Sequence, residues 1–250
     1  MPTSPLSVQL YTVREAAAED LTGTLQRLAG IGFELVEPYA FTTFPDLGDA
    51  LAASGLRAPT THQGFLNASE AEQDEIFAAA AALGIERVID PHYPAENWAS
   101  VEQITEGAAR LNTAATAAAK HGLIVGYHNH AFELESRPEG AGGRSGLEIF
   151  AEQLAPGVGL EVDAYWAAVG GEEPVGLLQR LGEKVVAVHV KDGPGTKENK
   201  DQVAVGSGTQ PIAEILAATP NALHVIELDD SFGDRFQAVA DSFAFLSGTR

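Results

Sequence analysis

Short apolar runs recur along the chain, and each is followed by a stretch with helical spacing. Eight runs read as strands: Ser7–Tyr11, Phe33–Glu37, Arg57–His62, Glu86–Asp90, Leu123–Val125 leading into Gly126, Gly159–Asp163, Lys184–Val190 and His224–Leu228. The spacing between them predicts helices at Ala17–Leu28, Asp46–Ser54, Ser69–Leu83, Trp98–His121, Leu147–Leu154, Pro174–Leu181, Pro211–Ala218 and Phe236–Leu246. Ser69 with Glu72 has the form of a capping box, and Gly84 and Gly122 stand where C-terminal caps belong. The Gly-rich stretch Arg137–Gly146 reads as a solvated surface loop in preference to a lid.

Near-continuously apolar strands alternating with helices imply a parallel sheet with both faces covered. Eight such units in 250 residues imply an α/β fold, a single (β/α)8 TIM barrel in one domain, 1–250. An open doubly wound sheet would be expected to carry a Gly-rich turn after its first strand. The chain has Tyr11-Thr12-Val13-Arg14-Glu15 there, with no glycine.

Charge narrows the partners. There are 35 Asp and Glu against 15 Lys and Arg, a formal net charge of −20. A binder of phosphate backbones needs a basic face, so no nucleic-acid partner is expected, and no anionic membrane surface either. The acidity offers hard oxygen ligands for a cation. The chain has no cysteine, which removes disulfides and thiolate metal sites and fits a cytoplasmic protein. Met1–Val8 shows neither a basic n-region nor an apolar h-region, so no signal peptide is expected.

The ionisable residues collect at strand ends, where an α/β barrel carries its active site. In chain order these are Gln9 and Tyr11, Glu37, His62, Asp90 and His92, the cluster His128-Asn129-His130 with Glu133, then Asp163, His189 with Lys191, and Glu227 with Asp229. Crowded carboxylates repel one another, and a divalent cation relieves that repulsion. Carboxylates with imidazole and no sulfur suit Mn²⁺, Mg²⁺, Fe²⁺, Co²⁺ or Zn²⁺. Asp163, His189 and Glu227 each end a strongly apolar strand, where an unpaired ionisable group is costly. These three are read as functional. Glu161 is read as facing the helix layer in a salt bridge, Glu86 with Arg87 as a surface pair, and His121 and His224 as structural.

The chain resembles the xylose isomerase-like TIM-barrel superfamily, the sugar phosphate isomerase/epimerase group. The resemblance runs from Val8-Gln9-Leu10-Tyr11-Thr12 to Ile226-Glu227 and rests most on Tyr127-His128-Asn129-His130-Ala131-Phe132-Glu133-Leu134. Asp163-Ala164-Tyr165-Trp166, His189-Val190-Lys191-Asp192 and Val205-Gly206-Ser207-Gly208 add to it. It implies one divalent ion, Mn²⁺ foremost, held by Glu133, Asp163, His189 and Glu227, with His128 or His130 as alternatives to Glu133 as first ligand. It further implies proton abstraction beside a keto-sugar carbonyl, with Glu133 and Glu227 as the acid/base pair. His130 and Lys191 stand nearby for proton shuttling or charge stabilisation, and Glu37, His62, His128 and Trp166 would contact the sugar. Homo-oligomers are common in the group. A lyase or dehydratase expelling a β-substituent from a keto-sugar, keto-glycoside or keto-inositol is the alternative reaction. A non-catalytic sugar-binding barrel is a remoter one.

Overall fold

The structure is a computed structural model that describes residues 6–249. The expectation about a signal peptide falls largely on residues 1–5, outside the described residues. Seven strands form one parallel sheet: β1 (Leu6–Val8), β2 (Thr60–His62), β3 (Arg87–Asp90), β4 (Ile124–His128), β5 (Gly159–Asp163), β6 (Val185–Val190) and β7 (Leu223–Ile226). Their order is β1-β7-β6-β5-β4-β3-β2.

The strand expected at Phe33–Glu37 does not form as such. Its backbone instead makes isolated parallel bridges on both sides, Gln9 with Glu37 next to β1, then Leu35 with Arg57 and Tyr39 with His62 next to β2. Glu37 N donates to Val8 O (2.8 Å) and Val36 N to Arg57 O (2.9 Å). A regular ladder fails here because Pro38 has no N–H to give and Ala40 takes a left-handed φ of 40°.

Helices lie between the strands in chain order. The first expected helix is two, Arg14–Glu19 and Leu21–Ile31, broken at Asp20. Asp20 is extended (φ −150°, ψ 90°), and its carboxylate caps the second helix by accepting from Gly23 N. The long Ala-rich helix runs Val101–Ala119 and starts at the Ser100 cap. Capping boxes start Glu70–Ala82 at Ser69 and Gly146–Gln153 at Ser145. Two short helices were not expected, Phe132–Glu135 and Ala164–Val169. No helix among the described residues is long and apolar enough to cross a membrane.

The two-residue period of each strand sorts its side chains. Leu160 and Val162 of β5, with Val188 and Val190 of β6, join the apolar core shared with Leu111, Phe150 and Leu177 of the helices. Burying each such side chain stabilises the fold by about 1.5–3 kcal/mol. The alternate residues, Glu161, Asp163 and His189, point to the other side of the sheet and meet one another. Register aligns them: His128 pairs with Glu161, and Asp163 with His189. Beneath His128, Gly126 pairs with Gly159. A Cβ on Gly126 would stand 2.6 Å from Ile89 Cδ1 and 3.0 Å from Gly159 O, so a side chain here would make the Ile89 tip turn and press on the β5 backbone.

Candidate active site

The ionisable side chains form two layers. In the deep layer Glu37 is fully buried and accepts from Gln9 Nε2 (2.8 Å), from the Thr60 hydroxyl and from His189 Nε2 (2.8 Å). Glu161, also fully buried, lies beneath three imidazoles. Its Oε2 bonds His62 Nε2 and stands 3.1 Å from His189 Nε2 and 3.2 Å from His128 Nδ1.

The outer layer faces the cavity. His189 presents its other nitrogen, Nδ1, to Glu227 Oε2 at 2.6 Å. Lys191 is buried, and its ammonium reaches Asp163 Oδ2 (2.9 Å), Glu227 Oε2 (2.8 Å) and Asp229 Oδ2 (2.8 Å). Asp229 Oδ2 also accepts from Trp166 Nε1 (3.1 Å) and Gln202 Nε2 (2.7 Å). Trp166 is placed by the turn after β5, where the Asp163 side chain accepts from Trp166 N. Above this layer lies a cavity of about 400 Å³ lined by Tyr11, Tyr39, His62, His130, Trp166 and Glu227, among others.

Burial and charge set the protonation of these groups. Burial opposes charge on His189, but the Glu161 and Glu227 carboxylates outweigh it and hold the imidazole well above its ordinary value. Burial is likewise overcome at Lys191 by Asp163, Asp229 and Glu227, which raise it, and at Glu227 by Lys191 and His189, which lower it well below the carboxylate range. His62 and His189 together hold Glu161 well down against its burial. Burial pushes Asp163 up to about 6 against the pull of Lys191. His128 goes the other way: burial, then the charge on His189, press it well below the usual imidazole value. His130 falls to about 4, from burial and then Lys191.

Two groups of four can each hold a metal ion. Ligand atoms of His128, Asp163, His189 and Glu227 lie within 4.8 Å of one another, as do those of His62, His128, Glu161 and His189. The first group fits a divalent ion on its own chemistry. It offers two carboxylates and two imidazoles, all buried and with no sulfur, a donor set that suits a divalent ion.

Three of the four ligands named from the sequence, Asp163, His189 and Glu227, are thus brought together. Glu133 is not with them. Its Oε1 accepts from Tyr127 OH (2.6 Å) and its Oε2 from His130 N (2.8 Å), and burial pushes its carboxyl up to about 7. His128 stands where Glu133 was expected. His130 lines the cavity and stacks on Phe132, its ring centroid 5.8 Å away. Glu37 lies below the cavity, whereas His62, His128 and Trp166 line it. Asp90 turns away and ties down the loop after β2, accepting from Phe65 N and Leu66 N.

Glu161 corrects the sequence reading, since it faces inward and not the helix layer. The signal was its two-residue distance from Asp163: if Asp163 points inward, so does Glu161. Of the other residues read as structural, His121 pairs with Asp74 at the surface (2.7 Å) and His224 is buried against Thr219 (3.0 Å).

The chain is thus a parallel α/β sheet with an acidic, His-rich constellation at its strand ends, and sequence comparison names its family. The xylose isomerase-like TIM-barrel model matches residues 25–246. The chain belongs to that family. No curated protein matches the sequence at a significant level. Among solved structures, the chain is similar to a sugar phosphate isomerase/epimerase from Parabacteroides distasonis, with 21% identity and a TM-score of 0.80 over 98% of this chain and 94% of that one. It is similar to a probable 3-DHS dehydratase, AsbF, from Bacillus anthracis, with 14% identity and a TM-score of 0.77 over 97% and 98% of the two chains. A third similar structure is the IolI protein with a binding zinc atom, with 15% identity and a TM-score of 0.75 over 98% and 97%. At these identities the likeness is one of fold.

Proposed function

We propose that the protein is a divalent-metal-dependent sugar isomerase or epimerase that moves a proton on the carbon beside a keto-sugar carbonyl. The observation that carries this is the convergence of His128, Asp163, His189 and Glu227 within 4.8 Å below a cavity of sugar size. The reading takes the bridged segment around Leu35–Tyr39 as the eighth stave of a closed barrel.

His128, Asp163, His189 through Nδ1, and Glu227 would hold the ion, Mn²⁺ foremost, with Zn²⁺, Fe²⁺, Co²⁺ and Mg²⁺ as alternatives. When bound, the ion would polarise the carbonyl and acidify the adjacent C–H. The chain's own residues do the rest. Trp166, Tyr11 and Tyr39 give the sugar apolar faces to lie on, and His62 offers a polar edge. Lys191, an ammonium held by three carboxylates, stabilises negative charge developing on the substrate oxygen. Glu227 and His130 line the cavity from the ends of β7 and β4, and we assign them the proton transfers. Glu133 acts behind His130, fixing it by the bond from His130 N.

The lyase alternative begins with the same proton loss and then expels a β-substituent, with His130 protonating the departing oxygen. Burial and then the Lys191 charge hold the His130 imidazole down to about 4, which leaves little imidazolium at pH 7 to protonate a leaving group. The test is incubation of the metal-loaded protein with keto-sugars in D2O. Deuterium gained at the carbon beside the carbonyl, with all substrate atoms kept in one molecule, supports the proposal. Release of a leaving group selects the lyase. No exchange with any keto-sugar, and no bound metal, leaves a sugar-binding barrel.

A further inference from the structure

The parallel sheet has two ends, and the ionisable cluster occupies only one. At the other, β3 starts at Arg87 and β6 at Val185. A cavity of about 510 Å³ lies there, between these strand starts, the end of the helix Pro174–Leu181 and residues 219–222 leading into β7. That volume suits a small molecule. In an α/β barrel this end ordinarily serves stability. Here it holds an arginine.

Arg87 lines the cavity with its side chain 29% exposed. Among the described residues its one ion-pair partner is the adjoining Glu86, 3.3 Å from Nη1, and Glu86 is itself 64% exposed. A surface pair of that kind contributes little. Arg87 Nε is buried and meets no acceptor. The guanidinium therefore enters the cavity with most of its donors unused, and its planar fork matches a carboxylate.

The wall around it is apolar. Leu178 and Ala222 are buried. Val186 joins them through an irregularity in the sheet. Leu160 pairs with Val185 but Glu161 with Ala187, so one step along β5 spans two along β6 and Val186 is the extra residue. Its side chain lies over Gly159, where a Cβ would stand 2.6 Å from Val186 Cγ2. Gln179 and Asn221 also line the cavity and add amide groups.

Charge limits the ligand. Besides Arg87, the only charged residue in the lining is Glu183, which is exposed. Lys184 beside it donates to Ala151 O instead. Arg87 is thus the single cation available. Glu86 and Glu183 stand in water, where screening weakens them, whereas the guanidinium is partly withdrawn from it. One added negative charge is met by Arg87, and a second would face the two glutamates with no counter-charge.

We propose that this cavity is a second ligand site, and that it takes a small monocarboxylate with an apolar body. The carboxylate sits on the Arg87 guanidinium and the body lies against Leu178, Val186 and Ala222. The site does not depend on the reaction at the opposite end of the sheet. The probe is 4-fluorobenzoate, followed by its 19F line width as wild-type protein is added, with 4-methylpentanoate as competitor. Saturable broadening at millimolar probe, reversed by the competitor, is expected. A protein of net charge −20 repels carboxylates at large, so saturation reports a local site. Arg87→Met should weaken binding by about tenfold or more. Gln179→Trp, at an exposed position of the lining, should weaken it by filling the cavity. Absence of saturable binding to wild type overturns the proposal, and Arg87 is then served by water and Glu86. Binding that either variant leaves unchanged also overturns it, because the carboxylate then sits elsewhere, the ionisable cluster included. Should Arg87→Met fail to fold, wild type and Gln179→Trp decide the point.

Discussion

Glu161 stands 3.1 Å from Nε2 of His189, on the far side of the ring from Glu227, which meets Nδ1 at 2.6 Å. A neutral imidazole that turns the lone pair of Nδ1 toward a cation must carry its proton on Nε2, and Glu161 and Glu37 are placed to accept it. Supporting carboxylates of this kind fix the tautomer and raise the basicity of a metal-ligating histidine. Glu161→Gln is therefore expected to weaken divalent-metal affinity by about 10–100-fold. Titration calorimetry on the folded variant reads this directly. Unchanged affinity alongside a lowered melting temperature would make Glu161 a purely structural residue.

Metal binding should also be pH-dependent. His189 is held well above its ordinary value of 6.5, so without metal it keeps its proton through neutrality. A cation on Nδ1 must displace that charge, so apparent affinity should rise with pH and binding should release protons. The sign for stability is opposite. A raised imidazole pKa contributes stability that is fully present below the unfolded value near 6.5 and is lost as pH rises through the folded value. Calorimetry in buffers of different ionisation enthalpy measures the protons released, and zero release would refute the scheme. Melts of the metal-free protein should show stability declining from neutral toward alkaline pH.

Lys191 is the internal counter-charge of the site. Replacing it in Lys191→Met leaves Asp163 and Asp229 without their cation and Glu227 with His189 alone. Leaving buried charge uncompensated costs roughly 3–5 kcal/mol, so the metal-free variant should unfold at much lower urea than wild type. Added divalent ion should restore part of the loss, because an ion that binds only the folded state stabilises it by mass action. Equal urea midpoints for variant and wild type in chelator would contradict this role.

The two carboxylates of the sequence-derived ligand set that differ in placement can be separated. Asp163→Asn should abolish stoichiometric metal. Glu133→Gln should retain it, since the Glu133 oxygens are engaged by Tyr127 OH and His130 N. Its effect should fall on turnover, through the position of His130. Elemental analysis of both purified variants decides the point, and loss of metal from Glu133→Gln would return that residue to the ligand shell.

The strands were legible because each apolar run stops at an ionisable residue, and this also brought Asp163, His189 and Glu227 to notice. What escaped depends on side-chain direction and chain reversal. Glu161 stands beside apolar Val162, and only its two-residue spacing from Asp163 fixes its face. Glu133 and His128 could not be ranked from sequence, because the unexpected helix Phe132–Glu135 winds the Glu133 carboxylate back under Tyr127. The segment before Pro38 has the apolar pattern of a regular strand, but the proline and the left-handed Ala40 reduce it to single bridges. The break at Asp20 was hidden because the residues on both sides share helical spacing, and only the competing cap divides them.

The paired glycines at Gly126 and Gly159 also set where this scaffold can change its preferences. A Cβ added at Gly126 would crowd Ile89 Cδ1 and the Gly159 carbonyl, which leaves little slack under His128 to borrow for a bulkier ligand. Laboratory evolution for new substrates should therefore accumulate its productive changes around the entrance, at Tyr11, Tyr39, Trp166 and Asn199, and should leave the glycine pair untouched.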